Sequence, residues 1–286
     1  MSSTVSEPHS PVAVITGAAQ GIGRAIAQAL AAKGYLLALG DIPSKENELQ
    51  TVVSECTEIQ RNTISPGFIS KILPVLCDVT KESQVEALVQ TAVSELGGID
   101  VMVANAGIFR AGLLLDVPDE DFDQIHAVNV KGLFYSYRAA ARAMIARGTG
   151  GRIIGACSRA GKQGVPEAGA YVASKFAVRG LTQTAAREWG KYGITVNAYA
   201  PGPVNTEMWN VNVDNLEAYR GVTASIPTGQ ITSPEEVAGL VTFLTSPAAK
   251  NITGESQLTT PNVAIMLLTQ CYIGQAISIN GGLFMD

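Results

Sequence analysis

Tyr171 and Lys175 stand four residues apart in the run Tyr171–Val172–Ala173–Ser174–Lys175. On a helix that spacing puts both side chains on one face, about one turn apart. A free tyrosine keeps its proton until pH ~10. A neighbouring ammonium favours the phenolate and lowers that value, which suits the pair to general acid–base work nearer neutral pH. Ser158, thirteen residues upstream, ends the apolar run Ile153–Cys157 and can offer a hydroxyl to an oxygen placed near the tyrosine. Taken alone, Tyr-x-x-x-Lys is more often a chance pair on a solvated helix. The surrounding elements decide whether it is a site.

Those elements alternate. Pro11–Ile15 is a short apolar run of the kind a buried parallel strand needs. It leads into Thr16–Gly17–Ala18–Ala19–Gln20–Gly21–Ile22–Gly23, and Arg24–Lys33 then reads as an Ala-rich helix stopped by Gly34. Strand, glycine turn and helix together form a place where a pyrophosphate can approach helix N–H groups. Tyr35–Leu39 is a second strand ending at Asp41, where a carboxylate can accept both hydroxyls of an adenosine ribose and repel a 2′-phosphate. Gln20 supplies no offsetting cation, so NAD is expected ahead of NADP. Further strands are expected at 72–76, 99–103, 152–156, 194–199 and 276–279, with helices at 45–59, 81–96, 119–147 and 171–189. Asp78–Val79 follows the third strand, to sit beside an adenine or to cap the next helix. Asn105–Ala106–Gly107 follows the fourth, and small residues there let a cofactor lie against the strand ends. Asn129 falls inside a helix, where asparagine is disfavoured unless its side chain or a local distortion has a use. Pro201–Gly202 follows the sixth strand. The expected fold is a single α/β, Rossmann-like doubly wound domain over 11–286, with about seven parallel strands and helices on both faces. Residues 1–10 are expected to be a disordered tail, and 207–230 is a candidate lid over a substrate.

Composition removes other classes. The 286 residues are 47% apolar, carry a net charge of −5 and show no basic cluster, which argues against nucleic acid as a partner. No apolar run approaches the ~18 residues needed to span a bilayer. The N-terminus lacks the layout of a signal peptide. Cys56, Cys77, Cys157 and Cys271 have no C-x-x-C spacing and there are two histidines, so neither a metal site nor a disulfide framework is expected. A soluble cytoplasmic protein is the expectation.

With the T-G-x-x-x-G-I-G turn, Asp78, Asn105–Ala106–Gly107, Asn129, Ser158, Tyr171, Lys175 and Pro201–Gly202 with Val204 and Thr206, the chain resembles the short-chain dehydrogenase/reductase family. The likeness runs over roughly 11–254 and 275–284. Within the family, Ala156–Cys157–Ser158 and the run Ser174–Arg187 are similar to the diacetyl/acetoin reductases (2,3-butanediol dehydrogenases). Arg159 and Val165 stand where those enzymes tend to carry other polar residues. The resemblance implies that Tyr171 is the catalytic acid/base, that Lys175 assists it and binds the nicotinamide ribose, and that Ser158 orients the substrate oxygen. It implies that Asn129 holds a relay water. Gly17, Gln20, Ile22, Gly23, Asp41, Asp78, Val79, Asn105, Ala106, Pro201, Val204 and Thr206 would line the cofactor. A small-molecule alcohol or ketone substrate and a homo-oligomer, dimer or tetramer, follow from it too. The competing classes are a nucleotide-binding scaffold or sensor without turnover, and an inactive product of intron retention.

The last alternative arises from one anomaly. Residues 255–274 interrupt an ending that, without them, would read Asn-Ile-Thr-Gly-Gln-Ala-Ile-Ser-Ile-Asn-Gly-Gly. Two readings stand: a translated intron, or a loop that belongs to this protein.

Overall fold

In the computed structural model the described residues are 10–65, 67–211, 224 and 226–257. The N-terminal tail at 1–9, most of the lid candidate beyond residue 211, and the strand expected at 276–279 lie outside them.

The strands form as the apolar runs require. Six strands of four to six residues, β1 (Val12–Thr16), β2 (Leu36–Asp41), β3 (Ile72–Leu76), β4 (Val101–Ala104), β5 (Gly151–Ala156) and β6 (Ile194–Tyr199), pair in parallel. The sheet order is β3-β2-β1-β4-β5-β6, so the chain starts in the middle, winds to one edge, and returns to build the other. Such a reversal opens a crevice at the strand C-termini beside β1 and β4.

Side chains of successive strand residues point to opposite faces, and both faces are covered. Ala13, Ile15, Leu37, Leu39, Val101 and Val103 meet helices α1 (Gly21–Ala31) and α2 (Glu46–Thr63), together with the late helix Pro234–Thr245. Val12, Val14, Ala38, Met102, Ile153 and Val196 meet α3 (Glu82–Leu96), α5 (Leu133–Arg147) and α6 (Gly169–Trp189). Strands buried on both faces need to be apolar throughout, which is why they read as continuous runs.

Two boundaries differ from expectation. The long helix expected over 119–147 is α4 (Asp119–His126) joined to α5 through a π-helical turn, Ala127–Gly132, which contains Asn129. Beyond the six strands, the seventh is only two residues long, β7 (Ser256–Gln257), and lies within the segment read as an insert. It continues a ladder begun by Gly254, whose N–H donates to Val196 O at 2.8 Å, and by Glu255, whose carbonyl accepts from Ala198 N at 2.7 Å. The strand edge of β6 is satisfied by whichever extended segment reaches it, and here that is Gly254–Gln257. Glu255 is consequently buried, at 4% exposure.

After β6 come α7 (Glu207–Val211) and α8 (Pro234–Thr245). The start of α8 follows its sequence signal. Ser233 Oγ accepts from Glu236 N, and the Glu236 carboxylate accepts from Ser233 N, a reciprocal capping box with Pro234 at the first position.

Candidate active site

Each loop of the site is pinned by a polar side chain. Gly17 and Gly21 have positive φ (65° and 53°), the left-handed region that favours glycine. A Cβ on Gly23 would lie 2.0 Å from Gly17 O and 2.6 Å from Asn105 Nδ2, so the turn can only pack this tightly with glycine there. Asn105 Nδ2 donates to the carbonyls of Thr16 (2.9 Å) and Gly17 (2.8 Å), while its Oδ1 accepts from the Tyr199 hydroxyl at 2.7 Å. One amide thereby ties the ends of β1, β4 and β6 together. Thr16 Oγ1 accepts from the N–H groups of Asn105 and Ala106. Thr16 belongs to the glycine turn, but its link to Asn105, like that of Tyr199, spans about 90 residues and does not show in the sequence.

Asp41 closes the groove on its far side. Its Oδ2 accepts from Ala19 N and its Oδ1 from Ile42 N, both at 2.8 Å. A carboxylate has about four lone-pair sites, so two remain for hydroxyl donors. Asp78 turns its Oδ1 onto the N–H and hydroxyl of Thr80 instead of capping α3. Between these residues runs a cavity of about 800 Å³. Gly17, Gln20, Ile22, Asp41, Asp78, Val79, Asn105 and Ala106 line it, as do Tyr171, Lys175, Pro201 and Thr206. Lys45, which the spacing did not single out, lines it near Asp41 and also pairs with Glu48 at 3.1 Å and Glu207 at 3.9 Å. Gly23 and Asn129 are not among its lining residues, and Val204 lines only the neighbouring cavity. Helix α1 starts at this groove with no side-chain cap and no acidic residue in its first turn. Its free N–H groups suit a phosphate. The glycine cradle, the uncapped helix and the ribose-edge carboxylate together fit a dinucleotide.

The catalytic candidates converge from three elements. Beyond β5, Cys157 N donates to Tyr199 O at 2.8 Å and Arg159 N to Pro201 O at 2.9 Å, which fixes Ser158 between them. Ser158 Oγ accepts from Ala160 N and hydrogen-bonds the Tyr171 side chain. Helix α6 carries Tyr171 and Lys175 as the spacing requires. Lys175 is buried, and its Nζ donates to Ala156 O at 2.7 Å while lying 5.3 Å from the Tyr171 ring centre. Phe109 meets that ring edge-on at 5.1 Å.

Asn129 sits 1% exposed in the π-helical turn. Its Oδ1 accepts from Ile108 N (2.8 Å), and its Nδ2 donates to Ile108 O (3.0 Å) and Ser174 Oγ (3.1 Å). The distortion that an asparagine in a helix suggested is present. The side chain clamps the 107–109 loop, and so Phe109, against the helix that carries Tyr171.

The electrostatics depart from the simple pair picture. Burial pushes the Tyr171 phenol up to about 12, with the Ser158 hydrogen bond acting against it. Burial also draws Lys175 down to about 8. In the protein alone, desolvation outweighs the expected lowering of the tyrosine by the lysine, whose ammonium is aimed at the Ala156 carbonyl.

Tyr171 lines a second cavity as well, of about 370 Å³, whose walls do not include Lys175. Ser158, Arg159, Val165, Phe109, Met208 and Trp209 are among its walls. One residue thus lines both the dinucleotide-sized groove and a small-molecule-sized pocket. This is the arrangement of an enzyme that joins a cofactor to a substrate.

A family model described as enoyl-(acyl carrier protein) reductase matches residues 17–259. A short-chain dehydrogenase/reductase of Armillaria gallica is 44% identical over 263 residues, covering 90% of this chain and 96% of that protein. The chain belongs to the short-chain dehydrogenase/reductase family. It is also 40% identical over 258 residues to an L-2,3-butanediol dehydrogenase of Corynebacterium glutamicum, covering 87% of this chain and 96% of that one. A crystal structure of a short-chain type dehydrogenase/reductase from Mycobacterium marinum superposes with a TM-score of 0.80 at 35% identity, covering 97% of each chain. The protein is accordingly an oxidoreductase, of a family whose dehydrogenases use nicotinamide cofactors. Among the described residues no cluster of side chains suits a metal ion, and no helix is long and apolar enough to cross a membrane.

Proposed function

We propose that this protein is an NAD-dependent alcohol dehydrogenase/ketone reductase, interconverting a secondary alcohol and a ketone with Tyr171 as acid/base. The observation that carries the reading is the position of Tyr171 on the wall shared by the two cavities, hydrogen-bonded to Ser158. Bound in the groove, a nicotinamide cofactor supplies or accepts the hydride. In ketone reduction the Tyr171 hydroxyl gives its proton to the carbonyl oxygen as the carbon is reduced, and the Ser158 hydroxyl donates a hydrogen bond to the same oxygen. In alcohol oxidation the proton returns to Tyr171. The high Tyr171 pKa keeps the phenol protonated at neutral pH, which suits the reducing direction. Lys175 places a buried charge beside the ring and reaches the groove, where a ribose would lie. The small pocket holds the oxygen in line, and positioning supplies much of the acceleration.

The preference for NAD rests on Asp41 at the groove edge, since its carboxylate would oppose a 2′-phosphate. Lys45 nearby is partly neutralised by Glu48 and Glu207. Likeness to the butanediol dehydrogenase of Corynebacterium glutamicum favours a vicinal diol or hydroxyketone among the substrates to be tried first. The reading extends to a cytoplasmic homo-oligomer, dimer or tetramer. Oxidation of NADH and NADPH with diacetyl, acetoin and larger cyclic ketones tests it. Turnover with at least one ketone, faster with NADH, is expected. Absence of turnover across the panel would refute it.

A further inference from the structure

The smaller cavity carries a cation that its own walls do not pair. Arg159 lines it, is half-buried, and has no carboxylate or carbonyl partner for its guanidinium among the described residues. Burial alone lowers its pKa, with no opposing charge acting on it. Trp209, in α7, also lines the cavity. The rest of the wall is largely apolar, through Ile22, Phe109, Val165 and Met208. Glu167 also borders the cavity but is exposed and forms no ion pair with Arg159 among the described residues.

Half-buried cations without a counter-charge are stabilised by an anion that pairs with them. Such groups are retained when a ligand completes them. Resting on the oxidoreductase reading above, we propose that the substrate is an oxo acid, or the matching hydroxy acid. Its carboxylate is held by Arg159, and its apolar chain lies against Phe109, Val165 and Met208. A guanidinium is the side chain best suited to a carboxylate, because its N–H groups form a planar fork. Arg159 directly follows Ser158, and its N–H is tied to Pro201 O, so the anion site branches from the chain next to the serine that holds the reacting oxygen. The acid would then be chosen by the length of its chain between carboxylate and ketone.

The test compares 4-oxopentanoate, 5-oxohexanoate and 6-oxoheptanoate with their methyl esters. Turnover is measured with NADH, and binding by the melting-temperature shift in the presence of NAD. Wild-type protein is expected to favour at least one acid over its ester by about tenfold or more in kcat/KM, expressed mainly in KM. Arg159→Met is expected to bring that ratio close to one and Arg159→Lys to keep part of it. A ratio near one for every pair in the wild type, or a preference that survives Arg159→Met, overturns the proposal. If acetoin or an ester is still reduced in that case, the hydride-transfer reading stands. Acid-selective binding lost in Arg159→Met but without any turnover supports the anion site and overturns the hydride-transfer reading instead.

Discussion

Lys175 Nζ lies 5.3 Å from the centre of the Tyr171 ring, one helical turn along α6, with both groups held in a low-dielectric setting. The lysine is not hydrogen-bonded to the phenol. It is fastened to Ala156 O at the end of β5, so its charge is a fixed feature of the pocket floor. A buried cation of this kind costs stability and is retained for what it does to its neighbours.

That cost has a defined pH dependence. The Lys175 pKa is depressed in the folded protein to about 8. The unfolded protein therefore binds the extra proton more readily, and the penalty is complete below about pH 8. It is relieved as pH rises from there toward the free-lysine value of ~10.4. Lys175→Met is expected to gain stability relative to wild type, by roughly 1–3 kcal/mol at pH 7 after the lost hydrogen bond is deducted. The gain should shrink toward pH 10. Urea midpoints of both proteins at a series of pH values check this; a gap that widens with pH would contradict it. Turnover of the variant is expected to fall at all pH values.

The glycine turn can be tested against an internal control. Gly23→Ala drives a Cβ into Gly17 O and Asn105 Nδ2, whereas a Cβ on Gly180, in the middle of α6, meets nothing within 4 Å. Gly23→Ala is expected to abolish detectable NADH binding by fluorescence and to lower the melting temperature. Gly180→Ala is expected to retain NADH binding and to raise stability by about 0.5–1 kcal/mol through helix propensity. Similar behaviour of the two variants would show that the close packing of the turn is not what binding needs.

Much of this site is legible in the sequence because its signals are local. Tyr171 and Lys175 need only a helix, Ser158 only the end of a strand, and the α8 capping box only four adjacent residues. Asn129 shows itself as a residue out of place in a helix, although its role as a clamp on Ile108 depends on a loop 21 residues earlier. Asn105 and Tyr199 meet across 94 residues, and no spacing rule reveals that hydrogen bond. The Tyr171 pKa is misjudged from sequence for a related reason. Charge proximity can be read from i, i+4 spacing, but burial is set by everything packed around the helix.

At the edge of β6 the local signals offer two candidates. Both Gly254–Glu255 and Gly274–Gln275 precede residues able to extend along it, and in the structure Gly254–Gln257 holds the edge with Glu255 buried. A chain lacking 255–274 would place Gln275, an uncharged side chain of matching length, directly after Gly254. The shortened form runs straight from Thr253–Gly254 into the apolar strand-length run Gln275–Ala276–Ile277–Ser278–Ile279. Its melting temperature and its yield of soluble oligomer in size-exclusion chromatography are expected to exceed those of the full chain. Equal or lower values would mark 255–274 as part of the working protein, as would a transcript in which those codons are dominant.

The shared wall between groove and pocket makes Tyr171→Phe the most direct test of the account. The substitution keeps the ring against Phe109 and removes only the hydroxyl of the residue that lines both cavities. NADH binding should stay within about twofold of wild type, measured by fluorescence titration. Ketone reduction, measured by NADH oxidation on the same samples, should fall by about 10²–10⁴, the usual contribution of a positioned acid. Turnover within a few-fold of wild type, with binding intact, would contradict Tyr171 as the proton donor.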